Sequence, residues 1–421
     1  MNVGILIEDQ GYKGLDFSQP EKGNPGVSGT VFEFIMLVKY LLMYDNDISV
    51  YVYHYNYNKL PLGCNEIILD NRNSICRKFS NKINILVVQN GLPKDFYLDD
   101  LNIPNLKVVF WAHNYLTGTD VEYLLRMKNL ARVVFVGKEQ YDHYVGHDII
   151  NKSTYIYNMF NSKCAEYCRS EDLHHVVTYT GSIIQAKGFH MLANVWKDIL
   201  NEVPDAELNV IGSGKLYDRG AHLGKYNIAD EDYENKFIGS IIDSSGSVLP
   251  SVHFLGILGK EKIDVYKRTM VGVMNPTGNT ETFGLSAVEM EACGIPMVTR
   301  KQYGLLDTVI HKKTGYLINN ESELKKRIIE LLKNKSLNYE LGVQAQQYVR
   351  TEFAPEHIIM DWIKLFSDIE SGRNIEYLKP NKNYFNHYKW VMILNRKIRR
   401  VIPIFPSIIG FKARIKLKKK V

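Results

Sequence analysis

"NTETFGLSAVEMEACGIP", residues 279–296, sets two carboxylates, Glu281 and Glu289, eight positions apart around a Phe-Gly pair. Just upstream, "VGVMNP" (271–276) is a short apolar run ended by proline and reads as a buried strand. "TGNTET" is loop composition. From Leu285 apolar residues recur at Val288 and Ala292, a helical stripe that stops near Gly294-Ile295-Pro296. Glu281 therefore belongs to a loop and Glu289 lies about one turn into a helix. The backbone N–H groups of Phe283, Gly284 and Leu285 have no intrahelical partners and face the loop, which suits an anion such as phosphate. Gly284 lets a ligand approach the backbone closely. Two carboxylates flanking an amide cradle match a ligand with an anion in its middle and hydroxyls at both ends, the layout of a nucleotide sugar. A helix whose glutamates complement its dipole is the other reading of the same residues.

Working outward, strand-like runs alternate with helical patterns along the whole chain. "VGILIE" (3–8) precedes a Gly/Pro loop and the helix "TVFEFIMLVKYLL" (30–42); "ISVYVYHY", "INILVVQNG", "VVFWAHN", "ARVVFVG" and "STYIYN" follow. A second series starts at Val176 with "VVTYTG", the helix "HMLANVWKDIL", "ELNVIGSG", "SVHFLGI", "VGVMNP", "IPMVTR" and "TGYLI". Repeated β-α alternation implies parallel sheets covered by helices, and 421 residues imply more than one core. The expectation is an α/β protein with two Rossmann-like domains, 1–170 and 171–355, facing a central cleft at their strand C-termini. A helix over 356–376 would pack back on the first domain, and 377–421 forms a basic tail. The segment 215–250 exceeds an ordinary connection and reads as a helix-bearing insertion.

Four loops after strands reach such a cleft. "EKGNPGVSGTVFEF" brings Gly26 and Gly29 to a helix start, where backbone can approach a pyrophosphate; a plain β-α turn explains it equally, and it is not GxGxxG. "VVFWAHN" puts His113 just past a strand, with packing as the alternative role. "YTGSIIQAKGF" offers Gly181, Ser182 and then Lys187 before a helix, a point charge for a leaving phosphate or a solvated lysine. The fourth is the Glu281–Glu289 stretch.

"GSIIQAKG" (181–188), "LNVIGSGKL" (208–216), "VHFLGI" (252–257) and "NTETFGLSAVEMEACGIPMVTR" (279–300), in this order and spacing, resemble the C-terminal half of family 4 retaining glycosyltransferases of GT-B fold. "NPGVSGTVFEF", "VVFWAHN" and "IYNMF" resemble that family's N-terminal landmarks, so the resemblance spans roughly residues 1–365. It implies that Glu289 bonds the donor ribose, while Glu281 and the amides of Phe283, Gly284 and Leu285 hold the transferred sugar and diphosphate. Lys187 would neutralise the departing diphosphate, Gly29 would border it, His113 would touch the sugar, and backbone at Gly256 and Ile257 would meet the base. It further implies same-face attack by the acceptor hydroxyl and a UDP- or GDP-linked sugar as co-substrate, without cofactor or metal. The acceptor would be a growing glycan or a lipid-linked oligosaccharide of a surface polysaccharide. One departure stands out: the family usually has Arg after the first glycine of the lysine loop, and here it is Ser182. Either another cation such as Arg300 or Lys301 substitutes, or the chain is a catalytically inactive partner subunit. Another GT-B activity, such as nucleotide-sugar epimerisation, is a further alternative.

Charge is distributed unevenly. Residues 377–421 hold thirteen Lys or Arg and no Asp or Glu, whereas the rest holds 39 basic against 46 acidic side chains. Apolar residues interleave with these cations (Trp390, Ile393, Leu394, Ile404, Phe405, Ile408, Ile409, Phe411), so the tail reads as a peripheral anchor on an anionic leaflet. An acidic body without a binding module argues against nucleic acid. The five cysteines (Cys64, Cys76, Cys164, Cys168, Cys293) form no disulfide framework or zinc spacing. Scattered thiols, the lack of a signal-peptide pattern in "MNVGILIEDQ" and the lack of a long apolar run place the protein in the cytoplasm, at the inner face of the membrane.

Overall fold

The computed structural model describes residues 1–71, 82–91, 101–161, 174–215, 222–384 and 386–409. Cys76, Cys164, Cys168, Phe411 and the end of the tail, expected to matter for redox state or membrane contact, lie outside these residues, as does the 216–221 part of the insertion. The chain forms two compact units. One comprises Met1–Glu21, Val27–Met159 and Pro355–Val421; the other comprises Lys22–Gly26 and Phe160–Ala354. The main change of unit thus falls at Met159/Phe160, earlier than the 170/171 boundary expected from sequence.

The first unit is built on strands β1 (Asn2–Leu6), β2 (Ser49–His54), β3 (Asn65–Ile68), β4 (Ile85–Gln89), β5 (Lys107–Ala112), β6 (Leu130–Phe135) and β7 (Ser153–Tyr155). All pairs are parallel, in the order β3-β2-β1-β4-β5-β6-β7. β4 and β5 are buried almost end to end, which a parallel sheet covered on both faces demands. The helix Gly29–Tyr44 is apolar nearly all round because sheet and helix Pro355–Glu370 cover it from different sides. Phe34 stacks on Trp111 at 4.8 Å, and Trp362 meets Trp111 edge-on at 4.7 Å.

The basic segment is partly folded into the first unit. Residues 377–409 belong to the first unit, with a helix at Lys389–Val401. Lys389 is 4% exposed. Its Nζ lies 3.0 Å from both oxygens of Glu139 and 2.7 Å from Asp142 Oδ2. Asp142 also pairs with Lys138, and its carboxylate accepts from the Asn381 amide at 2.8 Å. Leu378 N–H donates to Tyr141 Oη at 3.1 Å. The helix comes so close that a Cβ on Gly146 would meet Met392 O at 2.9 Å. Buried charges persist where they are paired and hydrogen-bonded, and here the carboxylates come from the body of the unit rather than from the tail.

The second unit carries β8 (Val176–Thr180), β9 (Glu207–Ile211), β10 (Val252–Gly256), β11 (Val271–Val273), β12 (Met297–Arg300) and β13 (Gly315–Ile318). These are parallel too, in the order β10-β9-β8-β11-β12-β13. Helix Phe189–Glu202 buries Phe189, Leu192, Trp196 and Ile199 at helical spacing in the core of this unit. Within 215–250 the helix Glu231–Phe237 forms as expected. Buried Glu234 accepts from the amides of Tyr226, Ile228 and Ala229 and fixes the turn before that helix.

Candidate functional site

In a doubly wound sheet, ligands bind beyond the strand C-termini where the strand order reverses. In the second unit that point lies between β8 and β11. The loop after β8 carries Gly181, Ser182 and Lys187, and the loop after β11 carries Asn275 to Gly284. Sequence-distant groups therefore converge: Lys187 Nζ lies 2.7 Å from Glu281 Oε2, and Asn275 Nδ2 donates to the same oxygen at 3.0 Å. The two loops are locked together. Thr277 Oγ1 donates to the Ala186 carbonyl. A Cβ on Gly188, whose φ is +72°, would come within 2.5 Å of Thr277 Cγ2, so only glycine fits beside the lysine.

Glu289 sits in helix Leu285–Ala292 and is buried, 5% exposed. Both its oxygens meet Lys262 Nζ, at 2.6 and 2.7 Å. Lys262 begins helix Lys262–Arg268 after β10. Sequence reasoning missed it, together with Asn275 and Thr277. Asn275 left a trace as the polar residue ending an apolar strand; Lys262 left none. The same helix supplies Tyr266, whose hydroxyl is held protonated far above its usual range, first by burial and then by the Glu289 charge.

The remaining expected positions are placed as follows. Gly284 has φ +100°, and an added Cβ would meet Met274 Cε at 2.9 Å and Leu305 Cδ2 at 3.1 Å. Its glycine is thus set by backbone conformation and by packing behind the loop, a stronger requirement than ligand approach. The helix it starts has no side-chain N-cap. Phe283 is buried edge-on against Phe353 at 5.1 Å, and Leu285 is half-buried. Ser182 is buried, and its hydroxyl donates to the Ser213 carbonyl at 3.4 Å. Gly181 closes β8, its N–H donating to Ile211 O at 3.0 Å. Gly256 ends β10 with φ +69° and open space where a side chain would be, followed by exposed Ile257. Arg300 packs beside Gly278 of the Glu281 loop, and Lys301 is exposed. The insertion reaches this site from one side: Tyr233 Oη accepts the His190 amide at 3.1 Å, capping the helix that follows Lys187.

Gly29 and His113 lie in the first unit. Gly29 is the first residue of its helix, whose N-cap Ser28 accepts from the Val31 amide. His113 follows β5, one strand from the reversal between β1 and β4. Its amide donates to Asn90 Oδ1 at 3.1 Å, and its ring lies 4.5 Å from Trp111. Burial in this aromatic setting pulls its pKa down to about 3, so the imidazole is neutral at pH 7. Among the described residues no cluster of three His, Cys, Asp or Glu side chains is arranged to hold a metal ion, and no helix is long and apolar enough to cross a membrane.

Fold and site define an α/β protein with a lysine–glutamate pair and a second, buried glutamate in the loops and helix that follow a sheet reversal. Residues 170–348, which lie largely in the second unit, match the sequence profile of the glycosyl transferases group 1 family. An uncharacterized glycosyltransferase of Methanocaldococcus jannaschii is 26% identical over 221 residues, 52% of this chain and 54% of that one. The capsular polysaccharide biosynthesis glycosyltransferase CapM of Staphylococcus aureus is 27% identical over 186 residues, 44% of this chain and 43% of that one. The chain thus spans about half the length of these curated relatives. The crystal structure of Anabaena HepE in complex with UDP and glucose aligns with TM-score 0.63 at 15% identity, covering 87% of this chain and all of that one. That likeness gives the fold, GT-B.

Proposed function

We propose that the protein is a retaining, nucleotide-sugar-dependent glycosyltransferase that extends a surface polysaccharide or lipid-linked glycan. One observation carries the reading: Lys187, Glu281 and Glu289 come from the segments that follow the two strands flanking the sheet reversal, each held by a defined partner. HepE was crystallised with UDP and glucose, and CapM is named for capsular polysaccharide biosynthesis, which supports a UDP- or GDP-linked donor and a surface-glycan acceptor. On this reading Glu289 accepts the ribose hydroxyls, and Glu281, steered by Lys187 and Asn275, accepts hydroxyls of the transferred sugar. As the C1–O bond breaks, its electron pair stays on the diphosphate, and Lys187 gives charge where charge develops. The acceptor hydroxyl forms the new bond to C1 on the same face and yields its proton to the departing phosphate oxygen. His113, being neutral, is a hydrogen-bonding group rather than a source of a proton.

Ser182 favours a second reading, an inactive glycosyltransferase-like subunit, because its buried hydroxyl supplies no charge to a diphosphate. A panel of UDP- and GDP-sugars tests both. The expected result is thermal stabilisation by one donor and slow hydrolysis of that donor. Stabilisation without hydrolysis or transfer supports the inactive subunit, and no stabilisation by any nucleotide sugar overturns the donor site itself.

A further inference from the structure

The helix Lys389–Val401 buries some of its polar residues and exposes some of its apolar ones. An ordinary surface helix buries its apolar stripe and gives its charges to water. This one buries Lys389, Met392 and Asn395 and half-buries Arg396 and Arg399. Asn395 accepts from Ile408 N–H and donates to Pro406 O, and Arg399 pairs with Asp148. The stripe at positions 390, 394, 397 and 401 faces outward. Three of its four members are apolar: Trp390 is 47% exposed, Leu394 48% and Val401 82%. The turn after the helix continues the surface with Ile402, Pro403, Ile404 and Phe405, of which Ile404 is 91% exposed. Exposed Lys397 and Arg400 lie among them. Single exposed apolar residues are ordinary, but a contiguous set of this size marks a surface that something covers.

We propose that this face docks on an anionic lipid surface, with Trp390, Leu394, Ile404 and Phe405 entering the headgroup layer and Lys397 and Arg400 pairing with lipid phosphates. Charge selects this occupant. The whole segment 377–421 lacks a carboxylate, so nothing in it repels an anionic leaflet. Trp suits the boundary because its ring is amphipathic. Cations beside a shallow apolar stripe are the pattern of helices that lie in a membrane interface. The structure also sharpens what the tail can contribute. Lys389 and Arg399 are committed to Glu139, Asp142 and Asp148, so among the described residues the charges offered outward by this helix are Lys397 and Arg400. Attachment is therefore shallow, reversible and dependent on salt. It is rigid as well, since the helix that touches lipid is fastened to the sheet unit by a buried ion cluster rather than by a flexible tether.

The test uses the full chain, because removing the segment would leave Glu139 and Asp142 buried without Lys389. Co-sedimentation is measured with vesicles of phosphatidylcholine alone and of equal parts phosphatidylcholine and phosphatidylglycerol. The wild type should bind the mixed vesicles, bind phosphatidylcholine poorly, and dissociate as salt shortens the Debye length below about 10 Å. Trp390→Glu with Leu394→Glu should abolish binding while leaving thermal stability in place. Lys397→Gln should weaken it about fivefold, the worth of one interfacial cation. Wild-type protein that ignores both vesicle types overturns the proposal, as does a Trp390→Glu/Leu394→Glu protein that sediments like the wild type. A concentration-dependent dimer that the double variant abolishes, without vesicle binding, also overturns it and assigns the face to a second copy of the chain. None of these readouts needs sugar transfer, so the surface and the donor site succeed or fail separately.

Discussion

Lys262 grips Glu289 with both carboxylate oxygens within 2.7 Å of one ammonium, and it does so from a helix that follows a different strand. The pair preorganises the carboxylate proposed to receive the ribose. Glu289→Ala should weaken UDP binding by about 10- to 150-fold, the worth of a charge-assisted hydrogen bond of about 1.5–3 kcal/mol. Lys262→Met should lower the melting temperature more than Glu289→Ala does, because it strands a buried carboxylate, whereas a freed Lys262 can extend toward water. Calorimetric titration with UDP and thermal melts of both variants and of their double mutant check this; additive effects on stability would show that the pair is not coupled.

Lys187 should act on turnover more than on affinity. In the free protein its ammonium is already paired with Glu281, so a ground-state diphosphate gains only a share of it. Charge grows on the diphosphate as the glycosidic bond breaks, and the lysine then contributes most. Lys187→Ala should reduce kcat by about 100- to 1000-fold with a smaller change in donor affinity, and Lys187→Arg should recover part of it. A rise in KM at constant kcat would confine the lysine to ground-state binding.

The sheets and the two placed carboxylates were legible because they are local. Continuous apolar runs give buried parallel strands, and the seven-residue gap puts Glu281 in a loop and Glu289 in the following helix. β3 was missed: "NEII" is a four-residue edge strand with no buried residue, so it lacks the apolar signal. Lys262 was missed because what it does depends on β10 and β11 being held by one sheet, which no spacing encodes. The way the basic segment is fastened to its unit was not legible for the same reason. Its cations stand without carboxylates in their own segment, and their partners Glu139, Asp142 and Asp148 lie about 250 positions upstream.

That buried cluster makes Lys389 a stability determinant of the first unit. Lys389→Met removes the ammonium that meets both oxygens of Glu139 and Asp142 Oδ2, while Asp142 keeps Lys138. Breaking a buried pair from one side costs about 3–5 kcal/mol, so the variant should unfold at markedly lower urea concentration. Adding Glu139→Gln should restore part of the loss by removing the uncompensated charge. Equal midpoints for wild type and Lys389→Met would mean that the segment does not hold the unit together.

Acid should destabilise the protein before its ordinary carboxylates titrate. Burial lowers His113 from 6.5 to about 3 and His147 from 6.5 to about 4. A base with a depressed folded pKa binds fewer protons in the folded state than in the unfolded chain. Between its two pKa values, falling pH therefore favours unfolding, at up to about 1.4 kcal/mol per pH unit for each such histidine. The contribution is complete above pH 6.5 and is lost as pH falls, down to about 4 for His147 and about 3 for His113. Glu291 works in the opposite direction. Burial keeps its carboxyl protonated well above the usual range, so its contribution is present at low pH and declines as pH rises past 4.5. The informative quantity is thus the difference between two proteins rather than the raw slope. His113→Gln should be less stable than wild type at pH 7 and should approach it steadily between pH 6.5 and 4, with the gap in unfolding free energy narrowing as the wild type loses its histidine contribution. Urea melts at four or five pH values measure that gap, and one that stays constant with pH would show that the His113 ring takes up a proton without leaving its aromatic pocket.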